Sequence, residues 1–243
     1  MGNLQQPRET TFHLTELGLI GDDIYQVRLE WPHGESIPFL PGQYLALHLP
    51  ERDPAWFSIA CAPGAQQLTL HIQAPPEWES AREVVDYLRK HGSVRVSLPY
   101  GEACFGGAPD EPLLLVVAGT GFAQAKSIVD YLRHCGTTQP VYLYWGVRQS
   151  DELYLRALAE QWSEEWEHFH FQPVICADSD SDAGCHHDRL VDAILQDGHD
   201  LARVQVLASG SPAMVYSVLD GLADQGLDTS RFKSDVLQYA PRD

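Results

Sequence analysis

Three glycine-bearing turns follow apolar runs in the second half of this 243-residue sequence. The first is Val117-Ala118-Gly119-Thr120-Gly121-Phe122-Ala123. Its glycines allow a tight turn and close backbone approach. The helix start behind them offers unpaired N–H groups and a positive dipole end to a phosphate. It is not a full G-x-G-x-x-G, because position 124 is Gln, and alone it is equally ordinary turn chemistry. The second, Tyr144-Trp145-Gly146-Val147-Arg148, ends the next apolar run. Arg148 there could pair with a nucleotide phosphate, or form a salt bridge with Asp151 or Glu152 at the surface. The third is Ala208-Ser209-Gly210-Ser211-Pro212-Ala213-Met214. Gly210 permits close approach, and helix capping alone accounts for Ser211 and Pro212. Three such turns at strand ends of one sheet describe a nucleotide-binding edge.

The first half carries fewer chemical groups. Trp56-Phe57-Ser58-Ile59-Ala60 sets a hydroxyl beside an aromatic on a strand, ordinarily core packing plus a satisfied Ser. Pro99-Tyr100-Gly101-Glu102 reads as a turn, and His71 lies between Leu70 and Ile72. No metal is expected. Asp178-Ser179-Asp180-Ser181-Asp182-Ala183-Gly184 starts like a calcium loop, but Ala183 and Arg189 occupy positions where Gly and Glu are needed. Cys185-His186-His187-Asp188 could ligate a metal, yet adjacent residues rarely converge on one ion.

The elements that must position these groups fall into two patterns. Short alternating strands are expected at 10–14, 24–31, 43–49, 56–61, 68–73 and 93–98, with one helix at 81–91. Even spacing of such strands suggests a small barrel. Phe105-Gly106-Gly107-Ala108-Pro109 marks a boundary. Beyond it, strands at 113–118, 141–146, 169–176 and 204–208 alternate with helices at 122–135, 152–160, 189–196 and 213–225. The continuous apolar run Leu113–Ala118 fits a strand buried on both faces, and the βα alternation implies a doubly wound parallel sheet. The expected architecture is therefore an N-terminal antiparallel β-barrel over residues 1–106 and a C-terminal α/β domain over 107–243.

Charge narrows the partners. With 34 acidic and 16 basic residues the chain carries a formal −18. That surface repels nucleic-acid phosphates and anionic membranes, and suits solubility or docking to a basic partner. Five scattered cysteines, Cys61, Cys104, Cys135, Cys176 and Cys185, lack iron–sulfur spacing and read as thiols in a reducing compartment. No membrane-length apolar run or signal peptide is evident, so the cytoplasm is expected.

In combination the motifs resemble the ferredoxin–NADP reductase superfamily, and within it the bacterial NAD(P)H–flavin reductases. Pro41-Gly42-Gln43-Tyr44 resembles the family's P-G-Q-Y, Phe57-Ser58-Ile59-Ala60 its [YF]-S-[ILM]-A strand, and Leu70-His71-Ile72 the strand beneath the flavin. Pro99-Tyr100-Gly101-Glu102-Ala103 resembles P-x-G-x-A. Gly119-Thr120-Gly121-Phe122 and Tyr144-Trp145-Gly146-Val147-Arg148 resemble the two nicotinamide-side motifs. The resemblance runs from about residue 10 to residue 238.

The resemblance implies an enzyme that passes a hydride from NADH or NADPH to FMN, FAD or riboflavin. Ser58 would hydrogen-bond the flavin N5, with Trp56, Phe57, Ile59, Ala60, His71, Ile72 and Gln73 around the flavin. Gly119, Thr120, Gly121, Phe122, Gly146, Arg148, Gly210, Ser211, Pro212 and Met214 would hold the dinucleotide. Arg148 would suit a 2′-phosphate, and Asp151 or Glu152 a ribose diol. The family Arg two residues before [YF]-S is Ala55 here, its Pro is Trp56, and Ala118 stands where a second Gly is common. These departures imply a flavin held as an exchangeable substrate. Two alternatives stand beside this reading. One is an FAD-bound reductase component that serves a separate, basic iron–sulfur or haem protein. The other is a non-catalytic module that retains the fold.

Overall fold

The computed structural model describes residues 6–175 and 185–242. The acidic segment Asp178–Gly184 and Cys176 lie outside the described residues, as do the side chains of Cys185, His186 and His187. The chain forms two compact units. One comprises Met1–Gly106 with Lys126–Cys135, and the other Gly107–Ala125 with Gly136–Asp243.

The first unit is built on six antiparallel strands: β1 (Arg8–Leu19), β2 (Ile24–Glu30), β3 (Tyr44–His48), β4 (Ala55–Ser58), β5 (Gln67–Gln73) and β6 (Ser93–Tyr100). Their order is β4-β3-β6-β1-β2-β5. The two ends of this sheet meet. Past β4 the chain bridges Ile59 to Leu70 of β5, and the Ala60 N–H donates to the Thr69 carbonyl at 2.8 Å. A nearly closed barrel results, which leaves few unpaired strand edges. Period-two alternation turns Val27, Leu29, Leu45, Leu47, Leu68, Leu70, Val94, Val96 and Leu98 into one core. Each such fully buried side chain contributes about 1.5–3 kcal/mol. Helix α1 (Glu79–His91) adds Val84, Val85 and Leu88 to this core and stops at Gly92 in the left-handed region (φ 65°), whose N–H donates to the Leu88 carbonyl.

The second unit holds β7 (Leu113–Ala118), the opening turn of α2 (Phe122–Cys135), β8 (Val141–Val147), α3 (Arg156–Glu165), β9 (Phe169–Ile175), α4 (Cys185–Gln196), β10 (Gln205–Ser209), α5 (Pro212–Ala223), β11 (Phe232–Lys233) and α6 (Val236–Tyr239). Its sheet is parallel throughout, in the order β11-β10-β7-β8-β9. Strand β7 is buried on both faces, as its unbroken apolar run requires. One face packs Tyr144 and Leu190 with helix α5. The other carries an aromatic stack in which Phe122 lies 3.9 Å from Trp145, with Trp162 beyond it.

The expected architecture, antiparallel barrel followed by doubly wound parallel sheet, is the observed one. Local differences have local causes. The helix expected from residue 152 begins at Arg156, because residues 150–152 form a 3-10 turn and Leu155 (φ −126°, ψ 34°) interrupts the helical path. The two-residue strand β11 and the one-turn α6 are too short for periodicity to reveal.

Candidate functional site

In a doubly wound sheet, ligands bind beyond the carboxyl ends of the strands where the strand order reverses. Here the order reverses between β7, which leads to β8 and β9 on one side, and β10, which leads to β11 on the other. Two of the expected turns, Gly119-Thr120-Gly121 and Ser209-Gly210-Ser211, leave β7 and β10 at this point. Gly119 has φ 51°, a conformation that favours glycine. A Cβ on Gly121 would lie 2.2 Å from the Ser209 carbonyl oxygen, so only glycine permits this approach of the two strand ends. Ser211 caps α5: its Oγ accepts from the Met214 N–H at 3.3 Å, and Pro212 opens the helix.

The third turn lies next to these. Gly146 of β8 pairs with Ala118 of β7, so Arg148 emerges beside the Gly119 turn. The Arg148 N–H donates to Glu152 Oε2 at 2.8 Å, and its Nε donates to Oε1 at 3.3 Å. Of the residues expected around the dinucleotide, Gly119, Thr120, Gly121, Gly146, Arg148, Gly210, Ser211 and Pro212 gather at this sheet edge. Phe122 and Met214 are fully buried, Phe122 in the aromatic stack and Met214 in the α5 core with its Cε against the Gly210 turn. Sequence reasoning passed over the support beneath the edge. The Trp145 indole N–H donates to the Gly119 carbonyl at 3.1 Å, and partly buried Tyr154 sets its ring edge-on to Phe122 and Trp145. The Tyr-Trp-Gly-Val run contained that signal, since a buried Trp needs a partner for its N–H.

In the first unit, Ser58 ends β4 at the residue where the chain leaves β3 for β5. It pairs with Tyr44 across β3. Alternation places Phe57 toward the core and Ser58 with Trp56 on the opposite face. There Trp56, half exposed, stands edge-on to Tyr44 (5.7 Å) and Tyr100 (5.0 Å), which stack on each other at 5.9 Å. Ser58 is partly exposed, and its hydroxyl makes no hydrogen bond among the described residues. Ile59, Ala60 and Ile72 are fully buried. The Ala60–Cys61 segment is fixed by residues of α2: Lys126 Nζ donates to the Ala60 carbonyl (3.1 Å) and to Asp130 (2.6 Å), and Ser127 Oγ donates to the Cys61 carbonyl (2.7 Å).

Burial sets the titration of this region. His71 is pushed down to about 3, first by desolvation and then by the charge of Lys126, so it stays neutral. Burial pushes the Cys61 thiol up to about 11, which makes it an inert packing group. Gln73 donates to the Asp23 carboxylate. Ala55 supplies no cation to β4, and nearby Arg52 is ion-paired with Glu83 at 2.5 Å. Among the described residues no cluster of three or more His, Cys, Asp or Glu could hold a metal, and no helix is long and apolar enough to cross a membrane.

Residues 115–220 match the family model of the oxidoreductase NAD-binding domain. Reductase component 2 of terephthalate 1,2-dioxygenase from Comamonas sp. is 31% identical over 224 residues, which cover 92% of this chain and 66% of that protein. The NAD(P)H-flavin reductase of Vibrio harveyi is 37% identical over 158 residues, covering 62% of this chain and 65% of that protein. The chain thus spans just under two thirds of the length of these curated relatives. Among solved structures, the Amycolatopsis cytochrome P450 reductase GcoB superposes with a TM-score of 0.81 at 23% identity, covering 96% of this chain and 71% of that one. Ferredoxin–NADP+ reductases share the same fold. The chain thus carries a segment that matches the oxidoreductase NAD-binding domain and shares its fold with ferredoxin–NADP+ reductases.

Proposed function

We propose that this protein is an NAD(P)H:flavin oxidoreductase, with its barrel (residues 1–106) binding the flavin and its α/β domain (107–243) binding NADH or NADPH. The observation that carries the reading is the switch-point edge, where Gly119, Gly121, Gly210 and the α5 N-terminus converge on one ligand-accessible place. A dinucleotide fits that edge: the left-handed Gly119 has open space above it, and a cap serine opens the neighbouring helix. When bound, the flavin accepts a hydride from the reduced nicotinamide, chemistry that belongs to the two cofactors.

The protein's part is alignment and hydrogen bonding. Ser58, whose hydroxyl lies on the Trp56 face of β4, would donate a hydrogen bond to the flavin N5. Trp56, with Tyr44 and Tyr100 behind it, offers an aromatic surface on the same strand face. Arg148, Ser211 and Pro212 would flank the dinucleotide. Ala55 removes the cation that a flavin phosphate would need, and Arg52 is engaged by Glu83, so the flavin exchanges as a substrate rather than staying bound. The test is anaerobic addition of NADH or NADPH to the protein with free flavin. Loss of the flavin's visible absorbance supports the reading, and an unchanged spectrum refutes it.

A second reading is favoured by one observation, the formal charge of −18 together with relatives named as reductase components. In it, the protein would retain its flavin and serve a separate, basic iron–sulfur or haem protein, with the acidic surface steering the encounter. A rate of acceptor reduction that falls steeply with salt would support it.

A further inference from the structure

We infer that the aromatic stack beneath the glycine turn is an electron relay, which draws oxidising equivalents away from the dinucleotide edge and delivers them to Trp166 at the surface. The inference goes beyond hydride transfer but rests on that reading, because reduced flavin that meets dioxygen gives oxygen-derived radicals, a class of one-electron oxidant. The rings form an unbroken run within the α/β unit. Trp145 ties its N–H to the Gly119 carbonyl and stacks on Phe122 at 3.9 Å. Phe122 lies 5.9 Å from Trp162 at an interplanar angle of 19°. Trp162 stands edge-on to Phe169 at 5.6 Å, and Phe169 stacks on Trp166 at 5.7 Å. These separations are those of aromatic rings in contact. The first four rings are at most 1% exposed, and Trp166 is partly exposed. Three of the five are indoles, which give up an electron far more readily than phenyl rings. Phe122 and Phe169 are the packed spacers between them.

Charge sets the direction of flow. An indole radical cation at Trp145 is buried away from water and lies against Phe122, the residue that opens α2 at its positive end. At Trp166 water reaches the ring. This residue also follows the last residue of α3, at the negative end of that helix, and exposed Glu165 and Glu167 flank it in the chain. A positive charge is therefore more stable at Trp166 than at Trp145. The Trp166 N–H donates to the Trp162 carbonyl at 3.0 Å, so the end of α3 fixes these two indoles relative to each other. The oxidant takes one electron from Trp145 and becomes its reduced anion. Trp162 refills Trp145, and Trp166 refills Trp162, with no bond made or broken. The Trp166 radical cation then releases its indole proton to water. A soluble thiol returns one hydrogen atom to it and leaves as a thiyl radical.

The experiment follows NADH oxidation with added riboflavin in air until activity is lost, on the native protein, Trp166→Phe and Trp166→Tyr. A parallel anaerobic run uses ferricyanide to regenerate the flavin, and circular dichroism is the folding control. Phenylalanine and tyrosine both fill the space against Phe169, but only the phenol can pass an electron on. Peptide mass spectrometry locates the oxidised tryptophans. In air, Trp166→Phe is expected to start at the native rate, to fail after severalfold fewer turnovers, and to carry oxidised Trp162 and Trp145. Trp166→Tyr is expected to last as long as the native protein, in which oxidation collects on Trp166. Without oxygen the three should coincide. Equal endurance of all three in air overturns the inference alone. So does a tyrosine variant that fails as early as the phenylalanine one. Native protein that shows no turnover with added flavin overturns the proposed function, and the inference with it.

Discussion

The Trp145 indole N–H reaches the Gly119 carbonyl at 3.1 Å, so the fully buried ring of one strand holds the first residue of the glycine turn that follows the next. The same ring stacks 3.9 Å from Phe122, the residue that opens α2. Both flanks of the turn are thus fixed by one side chain. Trp145→Phe should keep the stack and leave the carbonyl without its donor. A lost net hydrogen bond of about 1 kcal/mol corresponds to roughly fivefold weaker dinucleotide binding. Calorimetric titration with NADH checks this, and unchanged affinity would show that the turn needs no such tie.

Gly121→Ala tests the other side of the turn. Its Cβ would stand 2.2 Å from the Ser209 carbonyl oxygen, so β7 and β10 would have to part at their ends. Overpacking of this kind costs about 1–3 kcal/mol. The variant should melt at lower temperature and lose most of its affinity for NAD(P)H, as thermal unfolding and titration would record.

Ser58→Ala should lower the rate of flavin reduction by about 10–1000-fold, the range expected for a hydrogen bond that strengthens in the transition state. Flavin affinity should change little, because stacking does not depend on the hydroxyl. Anaerobic stopped-flow absorbance separates the two quantities. An unchanged rate in a folded variant would remove Ser58 from the chemistry.

The reading of these residues from sequence succeeded where local pattern determines structure. Leu113–Ala118 is apolar at every position, and a strand buried on both faces must be. Gly119 and Ser211 occupy a left-handed turn and an N-cap, both local demands. It fell short where distant residues decide. Nothing in Phe57-Ser58-Ile59 shows that the chain changes partner there, from Gln43 to Thr69. The anchoring of Ala60 and Cys61 by Lys126 and Ser127 joins residues 66 positions apart. Met214 and Phe122 lay within site motifs, yet helical periodicity turns both inward to the core. Arg148 and Glu152 were legible as residues of one strand end, and only the folded chain shows that they hydrogen-bond to each other.

His71 gives a pH signature. Its folded-state value is depressed to about 3 from an ordinary 6.5, chiefly by burial. The unfolded chain therefore binds more protons between those values. Stability is fully present above about pH 6.5 and falls as the pH drops toward 3, by up to about 1.4 kcal/mol per pH unit. Replacement of His71 by Gln should flatten this fall, measured as urea midpoints across the same window. An identical acid profile in the variant would assign the sensitivity elsewhere.

The proposed reaction is delivery of a hydride from reduced nicotinamide to a flavin on this protein. The direct measurement is the oxidation rate of NADH and NADPH by desalted protein, with and without added riboflavin, FMN or FAD. Turnover that depends on added flavin is the predicted result. The absence of turnover with every flavin and both nucleotides, in folded protein, would contradict the account.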